Sequence, residues 1–410
     1  MTKLNKERVF DFSPGRAEKE IISHLDRFVI GQQRAKKRIA DILLRRETGL
    51  RDPRRPLGAI FLLGPTGVGK TELIKATADF LFGNLGAYTH INCPNFENGH
   101  EISQLIGSPA GYVGFGGDSY QEPFLSQENI DKNDLRRRTE EIKSIEKQIK
   151  DYQESMKSIS SPQRELIKEI ELLIRRVEAL KNSFKNSFFS LVLFDEFEKA
   201  HPKLREMLLE ILSDGALSLM NGERTDFSNA IIALTGNVAS EEIKEEIGGS
   251  SKIGFHSDSE SMENLSERIW KIVLARLEKT VSPEILGRIG KESVVVCNFL
   301  NPEEMAAILE LQIKNLAERV KKSAKPFQLF IGEDVKRFLL GETQDRINIA
   351  LGARALLNVF KKRIEAPLNK LLAKDEDEGG IVKGDFVEIR FKESEAGRKK
   401  LEFTCRTAEN

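Results

Sequence analysis

Apolar and polar positions along the chain fall into three rhythms. The first is a short, unbroken apolar run, Ala59-Ile60-Phe61-Leu62-Leu63, that enters a glycine-rich turn. Such runs fit strands buried on both faces, as in parallel sheets. Tyr88–Cys93, Ser190–Phe194, Ala230–Thr235 and Lys291–Phe299 read as further strands, with helical spacing between them. Strand alternating with helix predicts an α/β domain built on a parallel sheet. Upstream, His24 to Leu43 carries apolar residues at helical spacing, broken at Phe28–Gly31, and Asp52-Pro53-Arg54-Arg55-Pro56 ends that segment.

The second rhythm runs from about Asn133 to Lys185, charged, helical and free of glycine. Ile142, Ile145, Ile149, Tyr152, Met156 and Ile159 recur at steps of three and four. Ser160-Ser161-Pro162 breaks the helix, and Leu166, Ile170, Leu173, Val177, Leu180 and Phe184 repeat the rhythm. Alternating steps of three and four give the roughly 3.5-residue period of a coiled-coil seam. A break this short predicts an antiparallel hairpin. Past Pro302 the third pattern is mainly helical and ends in two strand-like runs, Phe386–Phe391 and Lys400–Arg406. The expected organisation is a large α/β domain over 1–300, an inserted antiparallel coiled coil over 126–187, and a small helical lid over 301–410 ending in strands.

A chain of 410 residues supports more than one compact core. Lys plus Arg (64) equals Asp plus Glu (64), so net charge gives no argument for nucleic acid or an acidic membrane as partner. The N-terminus lacks a signal-peptide apolar core, and no run approaches the ~20 residues of a membrane span. Cys93, Cys297 and Cys405 are odd in number and far apart, which predicts free thiols in a reducing, cytoplasmic setting.

The chemistry begins at Gly64-Pro65-Thr66-Gly67-Val68-Gly69-Lys70-Thr71, a complete phosphate-binding loop after a strand and before a helix. Its glycines let backbone N–H groups turn inward around phosphates, Lys70 reaches the β- and γ-phosphates of ATP, and the Thr71 hydroxyl is placed to ligate Mg²⁺. Leu191-Val192-Leu193-Phe194-Asp195-Glu196 is the second part. A strand ending there sets Asp195 beside the Mg²⁺ and Glu196 where a carboxylate polarises the attacking water. The spacing between the two motifs is long, and removing the hairpin restores an ordinary distance.

Phe28-Val29-Ile30-Gly31-Gln32, the loop Gly64–Leu73, the segment Asp195–Pro202 (DEFEKAHP), Asp226–Asn237, Ser282–Ile289 and Leu351–Leu356 together resemble the second ATPase module of ClpA and ClpB, the AAA+ unfoldases and disaggregases of the Clp family. The likeness covers nearly the whole chain except the hairpin. It implies that Val29 and Ile30 contact adenine and that Asn237, in the sensor-1 position, helps orient the water. It also implies that Arg288 is an arginine finger reaching the neighbouring subunit, and that Arg354 is the sensor-2 arginine coupling lid to nucleotide. A finger acting in trans implies a ring, in this family a hexamer. Two segments depart from the family pattern: Thr235-Gly236-Asn237 replaces Thr-Ser-Asn, and Gly287-Arg288-Ile289-Gly290 replaces Asn-Arg-Ile-Asp.

Gly111-Tyr112-Val113-Gly114 resembles the pore loop of these unfoldases, where Tyr112 and Val113 grip polypeptide by packing and glycines let the loop move. Asp214–Asp226 sits where a second pore loop falls. Ile253-Gly254-Phe255 resembles the tripeptide that docks ClpA and ClpX on the ClpP peptidase, although a loop tucking its own apolar residues inward fits the same letters. The hairpin is either a docking arm or a solvated spacer; its place is closer to the inserted domain of the HslU unfoldase than to the coiled coil of ClpB. The expectation is an ATP-hydrolysing, ring-forming unfoldase that threads unfolded or tagged proteins, with or without a peptidase or adaptor. The alternative is a nucleotide-gated scaffold with slow turnover. A nucleic-acid-acting relative lacks the Gly-Tyr-Val-Gly loop.

Overall fold

The structure is a computed structural model that describes residues 15–49, 51–96, 101–107, 122–157, 164–184, 188–238, 259–343, 351–393 and 399–406. Its strands in the first part of the chain are β1 (Gly58–Leu63), β2 (Thr89–Asn92), β3 (Ser190–Asp195), β4 (Ala216–Ser218), β5 (Arg224–Asp226), β6 (Ala230–Gly236) and β7 (Val294–Val296). Five of them make one parallel sheet in the order β2-β3-β6-β1-β7. β1 lies between β6 and β7, with Phe61 opposite both Leu234 and Val294.

The unbroken apolar run of β1 has a simple cause. Strand side chains alternate faces, and both faces of this sheet are covered. Phe61 and Leu63 join one core with Val192, Phe194, Ile232 and Leu234. Ile60 and Leu62 join the other with Leu191, Leu193 and Ile231. The helices covering these faces are α1 (Arg16–Asp26), α2 (Gln33–Thr48), α3 (Lys70–Phe82), the short α4 (Ser103–Ile106), α7 (Pro202–Asp214), α8 (Ser259–Thr280) and α9 (Pro283–Ile289). Between α4 and α7 come α5 (Gln127–Lys157) and α6 (Arg164–Ser183).

α5 and α6 form an antiparallel pair inserted between β2 and β3. Tyr152 meets Glu169 near one end and Arg138 meets Ser183 at the other. Ile142, Ile145 and Val177 are buried between the helices, with Ile149, Leu173, Leu180 and Phe184 packed on them. The expected turn at Ser160-Ser161-Pro162 lies outside the described residues. At the root, fully buried Asp134 accepts from Arg138 (2.6 Å), from Arg137 (2.7 Å) and from the Phe189 N–H (3.0 Å). Burial alone pushes its carboxyl up, but these three donors outweigh it and hold it below the usual range.

Past residue 300 a third core gathers Leu309, Val335, Leu339, Leu356, Phe360 and Ile389. Its elements are α10 (Pro302–Lys321), β8 (Gln328–Ile331), α11 (Glu333–Gly341), α12 (Ala353–Phe360), α13 (Ala366–Leu372), β9 (Phe386–Glu393) and β10 (Lys399–Arg406). Asn301 and Glu304 close a capping box on α10, and Pro302 occupies its first turn. Two differences from the sequence pattern stand out. The lid sheet has three strands, β10-β9-β8, because β8 pairs in parallel with the distant β9. The run Lys291–Phe299 pairs only over Val294–Val296, because Lys291–Ser293 is a 3₁₀ turn after Gly290, whose φ is +85°.

Candidate nucleotide site

β1 delivers the chain to Gly64 at φ +132°, where a Cβ would stand 2.6 Å from the Cys297 carbonyl oxygen, so only glycine fits. The loop then turns through Gly67 (φ +76°) and Gly69 (φ +100°) and opens α3 at Lys70. The buried Lys70 Nζ donates to the carbonyls of Gly64 (2.6 Å) and Pro65 (2.7 Å) and to Asn237 Oδ1 (2.8 Å). Burial pushes its ammonium down to about 8, assisted by the charge of Arg354 and opposed by Glu198 and Asp195. Thr71 follows in the first turn of α3, and its hydroxyl has no hydrogen-bond partner among the described residues.

The strand β3 carries Asp195 to the same place. Burial raises its carboxyl, but hydrogen bonds from His90 (3.2 Å) and Thr235, with the charges of His90 and Lys70, hold it below the usual range. Glu196 sits at φ +54°, left-handed for a non-glycine residue, a strain on the order of 1 kcal/mol or more. Its N–H donates to Thr235 Oγ1 (3.1 Å) while that hydroxyl donates to Asp195 Oδ1, so Thr235 ties both acids to the end of β6. The Glu196 carboxylate pairs with Lys199 (2.6 Å). Asn237, next after β6, gives its N–H to Glu198 Oε1 (3.0 Å).

The α1–α2 turn closes one side. Val29 is buried, with Cγ1 3.2 Å from where a side chain on Gly69 would begin; Ile30 is half-buried beside it. Fully buried Lys36 donates to the Val29 carbonyl and to Asp26, both at 2.5 Å, which fixes this turn. Gln32 then bonds three backbone groups, donating to Val68 O (3.2 Å) and Asn298 O (2.9 Å) and accepting from the Asn298 N–H (3.0 Å). It ties the turn to the phosphate loop and to the segment leading into the lid.

The lid closes the other side by backbone. The Ala353 N–H donates to the Gly67 carbonyl (3.0 Å). A Cβ on Gly67 would lie 2.0 Å from Leu351 O, and one on Gly352 3.1 Å from Gly67 O and 3.3 Å from Thr66 O. Arg354, exposed, follows in the first turn of α12. Arg288 is exposed on α9 and makes no ion pair among the described residues.

Lys70, Asp195, Thr235 and Asn237 thus come together, with Val29 and Gly352 against the same loop. Tyr112 and Val113, and Ile253, Gly254 and Phe255, lie outside the described residues. Asp214–Asp226 holds the antiparallel hairpin β4–β5. Thr235, Gln32 and Glu198 are site residues that the motifs did not assign; the signal was a hydroxyl, an amide and a carboxylate within the segments Asp226–Asn237, Phe28–Gln32 and Asp195–Pro202. The Thr71 hydroxyl, without a partner among the described residues, and the ionised Asp195 are hard oxygen donors that fit Mg²⁺, which takes one or two protein ligands and completes its shell with phosphates and water. Among the described residues no cluster of three or more His, Cys, Asp or Glu offers an all-protein metal cage.

A phosphate loop between β1 and α3, an acid pair ending the adjacent-but-one strand and a lid seated on the loop define a P-loop nucleotide-binding ATPase with a C-terminal lid. The family model for the AAA domain (Cdc48 subfamily) matches residues 55–124 and 146–292. That for the C-terminal, D2-small domain of ClpB matches 300–384. The chain belongs to the AAA ATPases, in their Clp-type branch. It is similar to the chaperone protein ClpB of Aquifex aeolicus (28% identity, 94% of this chain, 31% of the relative) and to chloroplastic ClpC2 of Oryza sativa (31%, 86% and 31%). The Clp protease ATP-binding subunit ClpC of Staphylococcus saprophyticus is 30% identical over 88% of this chain and 35% of the relative. The chain thus spans about a third of the length of these relatives. The S. cerevisiae Hsp104:casein complex shares the fold, with a TM-score of 0.63, 24% identity and coverage of 95% of this chain and 53% of that one. Among the described residues no helix is long and apolar enough to cross a membrane.

Proposed function

We propose that this chain is the motor module of a ring-forming, Mg²⁺-dependent ATPase that unfolds protein and draws it through a central pore. The observation that carries the reading is the convergence of Lys70, Asn237 and Asp195: Lys70 donates to Asn237 Oδ1 at 2.8 Å and Asp195 accepts from Thr235, two residues before Asn237, beneath a lid bonded directly to the phosphate loop. In this reading Lys70 and the loop N–H groups hold the phosphates, and Val29 and Ile30 pack on the base. Thr71 and Asp195 would hold Mg²⁺, which supplies charge neutralisation at the β- and γ-phosphates. Glu196, freed from Lys199, polarises the attacking water, and Asn237 orients it. Arg354 reads the nucleotide from the lid.

Arg288, exposed and unpaired among the described residues, has the freedom a trans-acting finger needs, which supports a homo-oligomeric ring, six-membered as in Clp-type machines. Tyr112 and Val113 serve as the substrate grip. The relatives add weight: Hsp104 forms a complex with casein, and ClpC is the ATP-binding subunit of a protease. Docking of a ClpP-type peptidase through Ile253-Gly254-Phe255 is the finer part of the proposal.

The test is steady-state ATPase with and without an unfolded protein. Stimulation by that protein, with loss of turnover but retained ATP binding in Glu196→Gln, is the expected result. A flat, near-zero rate in the parent chain refutes the motor and leaves a nucleotide-gated scaffold.

A further inference from the structure

Glu198 lies outside the set of groups the phosphate-loop chemistry uses, yet its carboxylate enters the site. It stands on the 3₁₀ turn Phe197–Lys199, which begins at the left-handed Glu196 and folds the chain back toward the end of β6. There Glu198 Oε1 takes the Asn237 N–H at 3.0 Å. The same asparagine's Oδ1 accepts from Lys70 at 2.8 Å. The Glu198 contact and the side chain that faces the phosphate-binding lysine therefore belong to one residue, joined through the Asn237 Cα.

Three further features show that the placement is built. Arg205 holds the turn from behind, donating to the Glu198 carbonyl (2.9 Å), the Ala200 carbonyl (3.0 Å) and the Thr280 carbonyl (2.6 Å). Glu198 Oε2 is buried and has no hydrogen-bond partner among the described residues. A buried acceptor left in that condition carries a desolvation cost on the order of 1–3 kcal/mol, so something else in the fold holds it there. Gly236 makes the room: a Cβ at that position would meet Glu198 Oε2 at 3.1 Å, Leu63 Cδ2 at 3.0 Å and Phe61 Cε2 at 3.2 Å. This glycine is one of the two departures from the family pattern, and it abuts the orphaned oxygen.

We infer that Glu198 is a positioning residue for ATP hydrolysis: by holding the Asn237 peptide N–H it sets the aim of the Asn237 side chain. The inference rests on the ATPase reading of this site and not on ring formation or threading. Geometry, rather than charge, carries the effect. Gln at 198 keeps an acceptor of the right reach without the charge, whereas Asp keeps the charge on an arm one methylene too short.

The experiment measures kcat, ATP affinity with a fluorescent analogue, and melting temperature in the full chain. Misaligning a positioning group by about 1 Å costs up to ~10²-fold in rate. Glu198→Ala and Glu198→Asp should each lose roughly ten- to hundredfold in kcat. Their affinity should stay within about threefold of the parent, less than half a decade in Kd. Glu198→Gln should stay near the parent rate. Because the effect runs through Asn237, adding Glu198→Ala to Asn237→Ala should cost nothing further. The inference fails if Glu198→Ala keeps the parent kcat, if Glu198→Gln is as slow as Glu198→Ala, or if the two losses multiply. Should Glu198→Ala not fold, the Asp and Gln pair decides the matter alone. A parent chain with no turnover overturns the ATPase reading itself, whereas normal turnover in all variants overturns only the role of Glu198.

Discussion

Gly352→Ala is the sharpest test of how the lid reads the phosphate loop. Gly352 sits at φ +55°, ψ −138°, a conformation that L side chains rarely adopt. The strain for a side-chain-bearing residue there is on the order of 1–3 kcal/mol. An alanine methyl would also stand 3.1–3.3 Å from Gly67 O, Gly67 C and Thr66 O, tighter than ordinary contact and against backbone that cannot swing aside. Relief requires the lid to retreat, which breaks the Ala353–Gly67 hydrogen bond, worth about 1 kcal/mol. The sum, about 2–4 kcal/mol, falls on the docked arrangement alone, because an undocked Gly352 segment relaxes. At tenfold per 1.4 kcal/mol, nucleotide binding should weaken roughly thirty- to thousandfold. Fluorescence anisotropy of a labelled ATP analogue reads this, with a melting curve to show that the lid core survives. Gly341→Ala, at a position with nothing within 4 Å of a new Cβ, is the control and should bind normally. An affinity for Gly352→Ala within twofold of the parent refutes the claim that lid docking and nucleotide binding are one event.

Asp134→Ala should lower stability by about 3–5 kcal/mol, because it leaves the Arg138 guanidinium and the Phe189 N–H without their buried acceptor; urea unfolding measures it. Thr235→Val should cut kcat more than it weakens ATP binding, since both Asp195 and Glu196 lose the hydroxyl that ties them; initial rates against ATP concentration separate the two. Burial pushes the Asp131 carboxyl up to about 6, helped by Asp134 and Asp226. The folded chain therefore binds that proton more tightly than the unfolded one. The associated stability is complete below pH 3.8 and is lost as pH rises through about 6. Asp131→Asn should gain on the order of 1 kcal/mol at pH 7.5, the roughly 3 kcal/mol of a move from 3.8 to about 6 reduced by solvent screening at this part-exposed site, and flatten the stability profile between those pH values, as thermal melts across a pH series will show.

Much of the fold was legible because its signals are local. A sheet covered on both faces must use apolar runs, and β1, β3 and β6 carry them in Ile60, Leu193 and Ile232. The antiparallel helix pair was legible because Ile142, Ile145 and Val177 recur at seam spacing. β8 was not, since Gln328-Leu329-Phe330-Ile331 becomes a strand only by pairing with β9, more than fifty residues on. At the site, the loop and acid pair announce themselves by spacing. Gln32, Glu198 and Gly352 act across sequence separations that no local pattern records: Gln32 bonds Asn298, and Gly352 owes its identity to the backbone of Gly67.

The root of the helical arm has a mechanical consequence. Asp134 grips the Phe189 N–H one residue before β3 starts, and Asp195 is the last residue of that same strand. A torque at Lys157, the far end of α5 and about 35 Å from Asp134 at 1.5 Å per helical residue, is therefore borne by the strand that carries Asp195. Arm and acid-bearing strand share one rivet, so a load on the arm leans directly on the strand that ends at Asp195.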